Sequence, residues 1–196
     1  MSTLMTPTAA HAVSTPDAHQ ALVDLCAGWL TPSPADYTLT PPDEVPEPFH
    51  SLLVHHRHMT VVLGEHYHQP VHLQVQRSGV SGGAYRRRIT LTAGPAGPFT
   101  ELGIVRLHLQ FLPPDARDEI LAQLCPLGMI LIRHHILRRV VPHYYVRFSA
   151  SSPIIQLFNL PVSPIVYGRI GTIFCNEQPA IELLEIATGT HPQLAT

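Results

Sequence analysis

Ala84-Tyr-Arg-Arg-Arg-Ile-Thr-Leu91 is the stretch from which the fold of this chain is read. As a strand it alternates: Tyr85, Arg87, Ile89 and Leu91 project from one face, and Arg86, Arg88 and Thr90 from the other. Arg86 and Arg88 are then expected to reach water, while Arg87 is carried inward with an aromatic and two aliphatic side chains. A guanidinium cannot shed its charge, so it tolerates burial only beside an anion or enough acceptors. Two explanations stay open from spacing alone. Arg87 forms a salt bridge to an acid of the chain, or it lines a pocket for a carboxylate ligand, which a guanidinium fork matches in two hydrogen bonds.

Further strands flank this one. Pro70–Arg77 alternates with Val71, Leu73 and Val75 inward, and the turn Ser81-Gly-Gly83 joins it to the arginine strand. Leu102–Leu109 puts Gly103, Val105, Leu107 and Leu109 on one side and Arg106 and His108 on the other. Strands near Val140–Phe148, Tyr167–Cys175 and Ala180–Ala187 follow, the last two joined as a hairpin by Asn176-Glu-Gln-Pro179. Helical periodicity marks Asp17–Leu30, then Phe49–Tyr67 in two pieces, then the stretch opened by Pro113-Pro-Asp115, whose prolines and acids suit a helix start. Short turns between neighbouring strands predict an α+β fold: a single antiparallel sheet of about six strands, with helices packed on one face. Residues 1–16 are expected to be a disordered tail and 17–190 one domain, within which the six prolines of 31–48 make an extended arm.

The 196 residues suit one domain with a full core. Net charge is −2, and no stretch approaches the roughly 20 apolar residues that cross a bilayer, so neither nucleic acid nor membrane is an expected partner. Met1-Ser-Thr-Leu-Met-Thr-Pro7 has no basic flank or apolar core of a secretory signal, which leaves the cytoplasm as the expected location. All 12 Lys+Arg residues are arginine, which excludes Schiff-base chemistry on a lysine and a P-loop lysine. Cys26, Cys125 and Cys175 match neither a zinc spacing nor a disulfide framework. The 14 histidines gather at His55, His56, His58, His66, His68 and His72, with a pair at His134 and His135. Without Cys or carboxylate partners at ligand spacing, they are expected to be solvated rather than metal-bound.

Four pieces together resemble the chorismate pyruvate-lyase (4-hydroxybenzoate synthase) family, in order and at similar spacing over roughly residues 49–188. They are Ser51-Leu-Leu-Val-His-His-Arg-His-Met-Thr60, Tyr85–Leu91, Cys125-Pro-Leu-Gly-Met-Ile-Leu131, and Tyr167-Gly-Arg169 through Gln178–Ile186. The resemblance implies an antiparallel sheet with helical flaps around an aromatic-acid pocket, and a cofactor-free lyase. Such an enzyme eliminates pyruvate from chorismate to give a hydroxybenzoate, most often 4-hydroxybenzoate, for ubiquinone or aromatic secondary-metabolite biosynthesis. It implies Arg87 as the carboxylate-binding arginine and Leu127, with Gly128 beside it, as a backbone contact to the same carboxylate. Glu185 becomes the acid facing the ether or hydroxyl oxygen, and Met59 the apolar lid contact. Alternation alone does not choose between Glu185 and Glu182, which lie on opposite faces of one strand. Arg106 is a candidate for the second carboxylate of chorismate. Related folds also serve as effector-sensing modules in transcription regulators, so the alternative is a non-catalytic domain that binds small aromatic acids. Either way the expected partner is a small carboxylate, with no metal, and the chain is a monomer or homodimer.

Overall fold

The computed structural model describes residues 17–160, 162 and 164–189. The expected tail at 1–16 lies outside the described residues. Six α-helices are α1 (Ala18–Cys26), α2 (Phe49–Leu53), α3 (Met59–Tyr67), α4 (Pro114–Ala122), α5 (Leu127–Arg133) and α6 (Pro153–Gln156). Seven strands are β1 (Thr38–Thr40), β2 (Val71–Ser81), β3 (Ala84–Ala93), β4 (Phe99–Leu107), β5 (Arg138–Ser149), β6 (Ile165–Cys175) and β7 (Gln178–Ala187). They form one open antiparallel sheet in the order β1-β5-β6-β7-β4-β3-β2.

The expected α+β architecture stands, with seven strands where about six were anticipated. The additional one comes from the proline-rich arm, which pairs along the edge of β5, with Leu39 opposite Val146. Prolines confine it to that edge, since they cannot donate to a ladder on both sides. The β2–β3 hairpin turns at Gly82 and Gly83, with φ of +58° and +73°, a pair that glycine adopts without strain.

Strands β4 and β7 are buried almost without interruption, so both faces of the sheet are covered. On one face, α2 packs on β6 and β7, α3 on β2 and β3, and α5 against α3 and α4. Across the opposite face runs α1, in contact with β4, β6 and β7. Its Leu22, Leu25 and Cys26 join Leu102, Ile104, Leu184 and Ile186 in one apolar cluster. This explains why Arg86 is only 7 % exposed instead of reaching water. Its Nη1 donates to the backbone oxygens of Asp24 and Leu25 at the end of α1.

Candidate ligand-binding site

The register of the central strands builds the site. Arg87 of β3 lies opposite Val105 of β4, which lies opposite Leu183 of β7. One step along, Ile89, Gly103, Glu185 and Arg169 form the next row, and Leu91, Glu101 and Ala187 the one after. All project from the same face. The first turns of α3 and α5 cover them. Together they enclose a cavity lined by Arg87, Glu101, Glu185, Met59, Leu127 and Gly128, among others. Arg87, Glu185, Met59, Leu127 and Gly128, all singled out from the sequence, therefore line one chamber, and Arg106 does not. Its cavity volume is about 40 Å³. A ring-sized guest thus requires the lining side chains to part.

Two glycines hold the chamber's shape. A Cβ on Gly103 would sit 2.8 Å from Ile89 Cγ1 and 3.3 Å from Glu101 Oε1, so only glycine lets both side chains turn into the pocket floor. A Cβ on Gly128 would stand 3.1 Å from His58 Cβ and from Thr60 Oγ1, so glycine sets how closely α5 approaches α3.

Arg87 is 0 % exposed, and Nε, Nη1 and Nη2 all lack a hydrogen-bond partner among the described residues. Burial pushes its pKa down to about 10, partly opposed by the nearby Tyr85 and Cys125. Of the two explanations for an inward arginine, the internal salt bridge is thus not the one realised among the described residues.

Glu185 occupies the pocket face and Glu182 the reverse. Glu185 Oε2 accepts from Arg169 Nε at 2.6 Å. Arg169, 1 % exposed, then donates from Nη1 to the backbone oxygens of Leu53 (3.2 Å) and His55 (2.9 Å) and from Nη2 to that of Arg57 (3.1 Å). His55 Nδ1 lies 3.0 Å from the same Nη1. The arginine ties the chain after α2 to the sheet, and each of its three nitrogens is engaged in doing so. Glu182 pairs with Arg106 Nη1 at 2.9 Å on the far face, which removes Arg106 as a partner for a ligand in this chamber.

Sequence reasoning missed Glu101. It is 2 % exposed, and Oε2 has no partner among the described residues. Burial first, then the neighbouring Glu185 carboxylate, holds its carboxyl well above the usual range, with Arg169 opposing. The signal was present: continuing the Leu107, Val105, Gly103 alternation one step back reaches Glu101. A strand begun at Leu102 stopped short of it.

His58 caps the start of α3 and lines the wall between this chamber and an outer groove with His56, Arg57, His135 and Arg138. Burial, then the charges of Arg138 and Arg169, push its pKa down to about 4, and the neutral ring accepts from Arg138 Nε at 2.8 Å. His134 faces outward to Glu119 at 2.8 Å. Among the described residues no group of three or more His, Cys, Asp or Glu stands close enough to hold a metal ion, and no helix is long and apolar enough to cross a membrane. None of the cavity-lining residues belongs to the 31–48 arm.

No family profile matches the chain, and no curated protein matches its sequence. Among solved structures, PhnF from Mycobacterium smegmatis superposes with a TM-score of 0.50 at 12% identity, over 66% of this chain and 63% of PhnF. The C-terminal domain of Yurk from Bacillus subtilis matches at a TM-score of 0.36 and 11% identity, over 59% of this chain and 85% of that domain. The chain thus spans less than two thirds of PhnF, and the likeness is one of architecture. The sheet and its covering helices have the chorismate lyase-like fold.

Proposed function

We propose that this chain binds a small organic acid, with the ligand's carboxylate seated on Arg87, and that it acts as an effector-sensing domain rather than a catalyst. One observation carries this reading: a permanent cation sealed in the sheet's inner face with three unpartnered nitrogens. An uncompensated buried charge is costly, and a carboxylate is the guest that offsets it with two parallel hydrogen bonds. Leu127 and Gly128 sit beside it at the start of α5, and Met59 supplies apolar contact. The fold supports small-molecule binding too, since related folds serve as sensing modules.

The lyase on chorismate is the second reading. A carboxyl pair, Glu101 and Glu185, lines the same chamber as Arg87, and an acid there can donate to a departing enolpyruvyl oxygen. Against it, chorismate carries two carboxylates. Arg169 is committed to Glu185 and to backbone oxygens, and Arg106 lies on the other face. The second carboxylate would have to do without a free cation.

Calorimetric titration with 4-hydroxybenzoate, paired with a lactate-dehydrogenase-coupled assay for pyruvate from chorismate, separates the two. Binding that Arg87→Met weakens by about 100-fold, without pyruvate release, is the expected outcome, given about 2–5 kcal/mol for removing one partner of a buried charge pair. Pyruvate formed above the Arg87→Met background would instead establish the lyase. Neither binding nor turnover would overturn both.

A further inference from the structure

Arg87 is not the only buried group in the chamber left without a partner. Glu101 shares the cavity, and its Oε2 is also unsatisfied. The two do not pair with each other. Their strand register explains why: Glu101 lies opposite Leu91, four positions along β3 from Arg87, a span of about 13 Å between backbone positions at about 3.3 Å per residue. A buried cation and a buried carboxyl that both turn into one cavity, yet do not meet, are bridged most simply by one molecule with a matching group at each end.

We propose that Glu101 is a second ligand-contacting residue, a neutral carboxylic acid that donates its proton in a hydrogen bond to an uncharged acceptor oxygen at the ligand end remote from the carboxylate. The ligand class is then a monocarboxylate bearing an ether, hydroxyl or carbonyl oxygen, and dicarboxylates are rejected. The inference rests on the reading that Arg87 holds the carboxylate. The groups around Glu101 assign its protonation. Glu185 on β7 is held by Arg169 on β6, whose three nitrogens are all engaged, by that acid and by the backbone oxygens of Leu53, His55 and Arg57. His58 at the start of α3 is engaged by Arg138 as an acceptor. Among the described residues the cation beside Glu101 is Arg169, already paired with Glu185, and none is left to compensate a second negative charge, so the proton stays on Glu101. The same lack of a cation makes a ligand's second carboxylate unwelcome there.

Matched para-substituted benzoates test this by calorimetry. 4-Methoxybenzoate and 4-ethylbenzoate have nearly the same shape, but only the former carries an acceptor oxygen, and that oxygen cannot donate. The wild type is expected to bind the methoxy acid about 10-fold more tightly than the ethyl acid, the worth of one such hydrogen bond. Glu101→Gln, which keeps an N–H donor, retains the preference, and Glu101→Leu erases it. Terephthalate binds more weakly than benzoate. Equal affinities for the methoxy and ethyl acids in the wild type would overturn the proposal even if Glu101→Leu fails to fold, and so would a preference that survives in a folded Glu101→Leu. Benzoate itself lacks the distal oxygen and reports on Arg87 alone. If benzoate binds and Arg87→Met abolishes it, the carboxylate seat stands whatever becomes of Glu101. If no benzoate binds at all, both fall.

Discussion

A guanidinium held in an apolar layer without a counterion costs several kcal/mol, and Arg87 is in that position. Replacing it by methionine, shorter but of similar volume, removes the buried charge and keeps the site filled by an apolar side chain. Arg87→Met is therefore expected to make the ligand-free protein more stable by about 1–3 kcal/mol. The thermal shift that a bound acid gives the wild type should disappear in the same variant. Thermal melts with and without benzoate check this, and a variant clearly less stable than wild type without ligand would mean the charge is compensated. Alternation alone made this residue legible, because an arginine between Tyr85 and Ile89 on one strand face has nowhere polar to go. It did not choose between Glu182 and Glu185; the register opposite Gly103, and Arg169 beside it, put Glu185 in the pocket. Arg169 itself follows the same rule as Arg87, alternating with Tyr167, Gly171 and Ile173, and the motif Tyr167-Gly-Arg169 held it in plain view.

Between elements, Arg169 is the tie. It fastens the segment between α2 and α3 to β6 while neutralising Glu185 on β7, and the ion pair is almost wholly buried, at 1% and 12% side-chain exposure. Removing one partner strands the other's charge. Arg169→Met is expected to lose about 3–5 kcal/mol of stability, and the double variant Arg169→Met/Glu185→Leu to recover a large part of it. Urea denaturation of the four proteins of this cycle measures the coupling, and a double variant no more stable than Arg169→Met would rule out a stranded Glu185 charge as the cause. The break that Arg169 fastens was readable, since the 49–67 stretch divides into helical pieces, realised as α2 and α3. Less readable were β1, whose three residues sit among prolines, and α6, a single turn opened by Pro153. Both are too short for periodicity to register. The covered reverse face was hidden for another reason. That α1 crosses it is a tertiary choice, and only the near-continuous burial of β4 and β7 betrays it.

For the molecule as a whole, three titratable groups set how stability follows pH: His58 and Glu101, buried in the site, and His55, half-buried beside it. His55 and His58 are each held at about 4, chiefly by burial and then by neighbouring arginines, against 6.5 when unfolded. Their contribution is complete above pH 6.5 and is lost as pH falls toward 4, because the unfolded chain takes up protons that the fold excludes. Glu101 runs the other way. Its folded pKa is raised above the ordinary 4.5, so its contribution is complete below 4.5 and drains away as pH climbs through the raised value. Between 4.5 and 6.5 two histidines oppose one carboxyl, and stability rises with pH. Above 6.5 the histidines are spent and Glu101 alone remains of the three, so stability is expected to peak near neutrality and then decline by up to about 1.4 kcal/mol per pH unit. Urea midpoints from pH 4.5 to 9 trace this profile. Glu101→Gln cannot ionise and should flatten the alkaline decline and steepen the acid side, where the two histidines then act unopposed; His58→Gln should make the acid side shallower and spare the alkaline one. The alkaline side reports on Glu101 alone of the three, because above pH 6.5 the histidines are neutral in both the folded and unfolded chain. If the Glu101→Gln curve above pH 6.5 superimposes on the wild type, Glu101 is already ionised in the folded protein and cannot be the proton donor that a ligand's distal oxygen meets.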